Sequence, residues 1–180
     1  IGKKVSGYGL SIIDDAHLYG GVGSRSFDRE GISPEKVEII RDGVLKSFLH
    51  NSYTAAKVGT KSTGHASGGA RNQPSISASN FIIKPGARDL AAVVESTEKG
   101  IIVNRFSGNT DPVSGDFSGV VKGGKYIENG KVVKPIKGVM IAGNIYQLLN
   151  NISAISSTFT DIQNFRLPYI RLEEVAITGE

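Results

Sequence analysis

The stretch GSRSFDREG, residues 23–31, places Arg25, Asp28 and Glu30 within nine residues. At i and i+2 of an extended segment the two carboxylates share one face, a spacing that suits acid–base work or metal binding. The same residues also suit a tight connection, because Asp side chains accept hydrogen bonds from nearby backbone N–H groups. Spacing alone favours that second reading. Arg25 can pair with Asp28 or Glu30, a surface contact worth under ~1 kcal/mol. It can instead offer its planar fork to a substrate carboxylate. Asp111 with Asp116, and Asp14 with Asp15, are further carboxylate pairs. In a strand, Asp14 and Asp15 would point to opposite faces. A carbohydrate-processing domain built on Asp28 and Glu30 rests on these pairs alone.

Three histidines, His17, His50 and His65, stand far apart. None belongs to H-E-x-x-H, the helical spacing that turns two rings toward one zinc ion. His65 is the best candidate, since the small residues around it leave its ring accessible. Cysteine is absent, so thiolate ligands and disulfides are excluded, in agreement with a reducing compartment. No G-x-S-x-G elbow presents a serine nucleophile. The glycine-rich GGVGSR (20–25) lacks the Lys-Ser/Thr pair of a phosphate loop.

These side chains need a scaffold. A chain of 180 residues with 39% hydrophobic and 21% charged residues suits one globular domain or two small ones. The net charge is +4, but the basic residues are scattered, with no run longer than two. That distribution argues against a nucleic-acid face. No run approaches the ~18 apolar residues of a membrane span. The start, IGKKVSGYGL, lacks Met and reads as a strand rather than a signal peptide, so a fragment of a longer protein is expected.

Short β-rich runs punctuated by Gly, Asn and Asp predict a mainly β (α+β) fold with about three short helices. Strands are expected at 8–15, 80–84, 101–106, 138–142 and 169–178. Asp42-Gly43 and Asn129-Gly130 predict two-residue hairpin turns within 37–49 and 125–136, with Glu128 facing Lys131 across the second. The similarity of IRDGVL to IENGKV suggests two related halves. Helices are expected behind a Ser52 cap to before Gly59, over 90–98 behind an Asp89 cap and stopped by Gly100, and over 145–155 behind Asn144. The last carries an apolar stripe from Ile145 to Ile155. The polar stretches 60–79 and 107–119 read as long loops.

From residue 20 onward the sequence resembles the TldD/PmbA family, once called modulators of DNA gyrase and viewed as zinc-dependent peptidases. The matching segments are GSRSFDREG (23–31), IRDGVLK (40–46), YTAAKVG (53–59) and STGHA (62–66). Later come DPVSGDFS (111–118), YIENG (126–130) and AGN (142–144). The resemblance implies that residues 1–180 form the C-terminal domain, a mainly antiparallel, barrel-like β structure. It places the zinc-binding histidines upstream, in an H-E-x-x-x-H helix, and a further Cys ligand near the C-terminus of the TldD-type subunit. The corresponding region here, FTDIQNFRLPYIRLEEVAITGE, has no Cys. That departure suggests the PmbA/TldE type of subunit, without a zinc site of its own. It would dimerise with a TldD-like subunit or with itself in the cytoplasm and act on peptides or unfolded proteins. Zinc would then be held on the upstream motif or by the partner. The rival expectation is a binding or assembly module of the gyrase-modulator kind, without peptidase work. On this view Arg25, Asp28, Glu30, His65, Asp111 and Asp116 face a cleft or a subunit interface, and none is catalytic.

Overall fold

The computed structural model describes residues 1–179. Two compact units emerge. The first comprises residues 1–4, 9–85 and 159–168; the second comprises 5–8, 86–158 and 169–179.

In the first unit β1 (Ile12–Asp14), β2 (Val37–Arg41) and β3 (Val44–Leu45) form an antiparallel meander. The β2–β3 turn is Asp42-Gly43, with φ of 50° and 79°. Both values lie in the left-handed region that a type I′ hairpin requires, which is why this dipeptide was a usable signal. Helix α1 (Ser52–Val58) follows, then the two-residue strands β4 (Ala66–Ser67) and β5 (Ser75–Ile76), and β6 (Phe81–Ile83) beside β1. Leu10, Ala16, Val37, Ile40, Ala55 and Ala66 supply its buried apolar side chains.

Helix α1 is capped by Asn51 rather than Ser52. The Asn51 Oδ1 accepts from Thr54 N at 2.9 Å, and Thr54 Oγ1 accepts from Asn51 N at 3.2 Å. Gly59 ends it in the left-handed conformation, at φ 72°. Asn51→Ala is expected to cost roughly 1–2 kcal/mol, since it removes the cap and a bond to Pro74 O. The midpoint of thermal unfolding reads this directly.

The second unit begins with α2 (Leu90–Glu95), capped by Asp89 through Ala92 N. It ends at Ser96, so Gly100 is not its stop; that glycine lies inside β7 (Lys99–Ile102). Then come β8 (Arg105–Thr110), β9 (Asp116–Lys122), β10 (Gly124–Glu128), β11 (Lys131–Ile136) and β12 (Met140–Asn144). The Asn129-Gly130 turn joins β10 to β11 with φ of 49° and 74°, and Glu128 pairs with Lys131. The two X-Gly hairpins fall in different units. The expected loop 107–119 is largely strand: β8 and β9 pair from Thr110↔Phe117 to Arg105↔Lys122. Only residues 111–115 form the connection.

Helix α3 (Ile145–Leu148) keeps its Asn144 cap but is one turn long. The expected continuation to residue 155 is instead the start of β13 (Ile152–Ile162). Asn150-Asn151 break the helix, and Ile152, Ala154 and Ser156 are buried at strand spacing. The β-branched run that follows fits a pleated surface better than a helical one. Strands β14 (Phe165–Leu172) and β15 (Ala176–Thr178) complete the chain.

The sheets run β13-β14-β6-β1-β2-β3, β11-β10-β7, β15-β12-β9-β8 and β4-β5. The pairs β1–β2, β1–β6, β2–β3, β4–β5, β7–β10, β10–β11, β8–β9, β9–β12 and β12–β15 are antiparallel, and β14 pairs with β6 in parallel. Each order is linear with two edges, so the expected barrel-like character does not extend to a closed barrel. No helix among the described residues is long and apolar enough to cross a membrane.

Candidate functional site

Four of the six candidate residues lie in the first unit, around one buried polar cluster. Asp14, at the end of β1, is wholly buried. Its two oxygens accept from Ser79 N at 3.0 and 2.8 Å, and Oδ1 also meets His65 Nε2 at 2.9 Å. On the other side of the ring, His65 Nδ1 lies 2.9 Å from Thr63 Oγ1. That hydroxyl accepts from His50 N at 2.7 Å. It also donates to the His50 carbonyl at 3.1 Å, which receives Thr63 N, His65 N and Ser62 Oγ as well. A histidine expected to be accessible is thus 0% exposed. Its neighbour Gly64 stands where a side chain would overlap Pro34, so the small residue there marks close packing and not an opening to solvent.

Asp28 is also buried, and its carboxylate is spent on the backbone. Oδ1 accepts from Glu30 N at 2.8 Å and Ile32 N at 3.0 Å, while Oδ2 accepts from Ala66 N at 2.9 Å. Glu30 Oε2 takes Ser52 N at 2.8 Å. The two carboxylates therefore tie the 23–31 loop to β4 and to the start of α1; they do not form an open acid–base pair. Arg25 makes no ion pair with either among the described residues. Its own amide donates to Ala16 O at 3.0 Å, and its guanidinium reaches Gly64 O at 3.5 Å. Arg29 holds Asn72 O.

Asp111 and Asp116 lie in the second unit, at the β8–β9 turn. Asp111 Oδ1 accepts from Val113 N at 2.8 Å and Ser114 N at 3.3 Å. These donors hold its carboxyl below the usual carboxylate range, the Val113 bond first. Asp116 Oδ1 accepts from Asn144 Nδ2 at 2.8 Å. The depressed value of Asp111 fixes a sign. Its share of the turn's stability is present above the unfolded carboxylate value and is lost as pH falls through the lower folded one. A carbon-detected carboxyl titration is expected to show Asp111 protonating after an unstructured Asp does as the solution is acidified.

Sequence reading missed Thr63, Ser79 and Asn80. Asn80, 3% exposed, accepts from Gly23 N at 2.9 Å and donates to Asp15 O at 2.7 Å. All three sit in or beside the polar 60–79 stretch, where nothing in the residue types separates a buried tie from loop surface. The first unit also carries an open groove of about 290 Å³ flanked by Tyr19, Val22, Ile82 and Phe165, with the Asp161–Arg166 ion pair at its side. None of the six candidates lines it.

Zinc requires several free nitrogen, sulfur or carboxylate donors aimed at one point. His17 Nε2 lies 2.9 Å from Pro34 O, His50 Nδ1 lies 3.1 Å from Thr54 Oγ1, and both His65 nitrogens are engaged. Among the described residues no three His, Asp or Glu side chains converge. The donor set does not fit a zinc site.

Residues 1–179 match the family model described as the PmbA/TldA metallopeptidase C-terminal domain. The metalloprotease PmbA of Escherichia coli O157:H7 is 30% identical over 181 residues, covering 100% of this chain and 38% of that protein. The crystal structure of TldE from Thermococcus kodakarensis superposes with a TM-score of 0.89 at 27% identity, covering 99% of this chain and 42% of that one. A proposed modulator of a DNA gyrase from Thermotoga maritima gives a TM-score of 0.86 at 29% identity, over 97% and 40% of the two chains. The chain thus spans about two-fifths of the length of these relatives.

Proposed function

The chain belongs to the PmbA/TldA metallopeptidase family, matching its C-terminal domain, and from that premise we propose that it serves as the metal-free β domain of a peptidase system. In this reading it is the PmbA/TldE-like component. It gives a rigid wall and free strand edges to a chamber whose zinc is held outside these residues, on an upstream segment or on a TldD-like partner. Its substrates are peptides or unfolded polypeptides, which can be held by backbone hydrogen bonds irrespective of sequence. The cysteine-free composition suits the cytoplasm.

One observation carries the reading. The carboxylates Asp14 and Asp28 and the His65 ring, the residues best suited to acid–base or metal chemistry, are all held by hydrogen bonds inside the first unit. The cluster's chemistry is the rigid placement of loops. The test mixes the full-length protein with a TldD-type subunit and follows cleavage of an unfolded polypeptide. Cleavage by the mixture and none by this protein alone is expected. Zinc-dependent cleavage by this protein alone would defeat the assignment.

A second reading, an assembly module without proteolysis, is favoured by the gyrase-modulator description of the Thermotoga neighbour. A stable complex with gyrase and no cleavage under any metal condition would support it.

A further inference from the structure

Charge in the second unit is sorted along the chain. Residues 99–137 carry seven basic and three acidic side chains, a surplus of four that equals the surplus of the whole chain. All seven basic residues are exposed. None of them makes an ion pair among the described residues.

Scattered along the sequence, these cations are gathered by the fold. Lys131 and Lys134 are three residues apart on β11, and in an unbroken strand they would point to opposite faces. A bulge prevents this. Ile127 pairs with Val132 and Tyr126 with Lys134, so Val133 is the extra residue. Lys131 then stands opposite Glu128 and Lys134 opposite Tyr126, on one face of the β11-β10-β7 sheet. Lys99 stands on the far side of Glu128, on that same face. The other face of β10 holds the buried Ile127. The ribbon then continues in one register: Ile102↔Lys125 ends the β7–β10 ladder, and Arg105↔Lys122 begins the β8–β9 ladder. Arg105 and Lys122 are directly opposed, an arrangement in which like charges destabilise a sheet. Lys122 lies six residues from Glu128 along the chain, so the two groups of cations fall within ~20 Å.

Cations that the chain leaves uncompensated fit an anionic partner, and two details say which. Rows of side chains on one strand face stand ~7 Å apart, the separation of residues i and i+2 in an extended polypeptide. Glu128 lies between Lys99 and Lys131, with the Tyr126 hydroxyl donating to it at 3.4 Å. A nucleic-acid strand carries a phosphate at every nucleotide and is repelled there. A polypeptide can set a neutral residue over Glu128.

We propose that the lysine face of β7, β10 and β11, with the Arg105–Lys122 pair beyond it, is a docking surface for acidic segments of an extended polypeptide. The acidity of the partner follows from the charges; that it is a polypeptide rests also on the peptidase-system reading above. Side chains make the contacts, so the surface selects acidic chains ahead of neutral ones.

Fluorescence anisotropy of a labelled Glu-Ser repeat peptide with the full-length protein tests the proposal. Binding is expected at low ionic strength, weakening steeply as salt is added. The paired reversals Lys131→Glu/Lys134→Glu and Arg105→Glu/Lys122→Glu are each expected to weaken it about tenfold. Lys131→Gln/Lys134→Gln, a milder change, is expected to weaken it about threefold. Lys61→Glu/Arg71→Glu makes the same charge change at exposed residues of the first unit, and is expected to leave binding unchanged. Equal weakening by that control, no binding of the peptide, or tighter binding of an oligothymidylate of the same charge would each overturn the proposal. Cleavage of an acidic unfolded polypeptide, by the mixture with a TldD-type subunit, that is indifferent to the reversals refutes the surface and leaves the peptidase reading standing. Peptide binding that depends on these cations, with no cleavage by the mixture, refutes that reading and leaves the surface.

Discussion

Asp14→Ala is expected to lower the stability of the chain by about 2–6 kcal/mol, because it leaves the buried groups bonded to its carboxylate without a partner. Asp14 and His65 are both wholly shielded from solvent. The substitution would strand His65 Nε2 and Ser79 N, each now within 3.0 Å of an Asp14 oxygen. A buried donor without an acceptor costs its full desolvation penalty. Typical domains have ~5–15 kcal/mol in total, so this one change removes a large share. Denaturant unfolding measures it. In a double-mutant cycle with His65→Ala the two losses are expected to be sub-additive by ~0.5–3 kcal/mol, as for groups in direct contact. Full additivity would mean that the two side chains do not act as a pair.

Gly64→Ala is expected to cost roughly 2–6 kcal/mol, from two sources. The φ of +71° is one that an L side chain rarely adopts, at about 1–3 kcal/mol. The added methyl would also overlap Pro34 Cα and lie 2.6 Å from Pro34 N and 2.8 Å from Ser33 O, overpacking worth about 1–3 kcal/mol more. The backbone has little freedom to yield. Thr63 O accepts from Glu35 N, and both Thr63 N and His65 N donate to His50 O. Gly31→Ala is the control. Its φ is +78°, but open space surrounds the added methyl, so only the conformational cost remains. Comparable losses for the two variants would show that the close approach to Pro34 contributes nothing.

The hairpins were legible in the sequence because their turns are local: Asp42-Gly43 and Asn129-Gly130 need only neighbouring residues to take positive φ. Caps were legible for the same reason at Asp89 and Asn144. At α1 two adjacent polar residues competed, and Asn51 won because Thr54 completes its capping box. The stripe from Ile145 to Ile155 misled. Isoleucines at helical spacing also fit a short helix followed by a strand, and Asn150-Asn151 were the overlooked break. The site was less legible than the fold. Asp28 could be read as turn chemistry from its place among glycines. His65 could not be read as buried, because its partners Asp14 and Thr63 come from a distant strand and from a polar stretch that looks like surface.

A zinc titration of this chain followed by native mass spectrometry reads directly where the reactive metal is held. No stoichiometric zinc adduct is expected for the parent, His17→Ala or His50→Ala. One zinc retained per chain, and lost when a histidine is replaced, would contradict the metal-free reading.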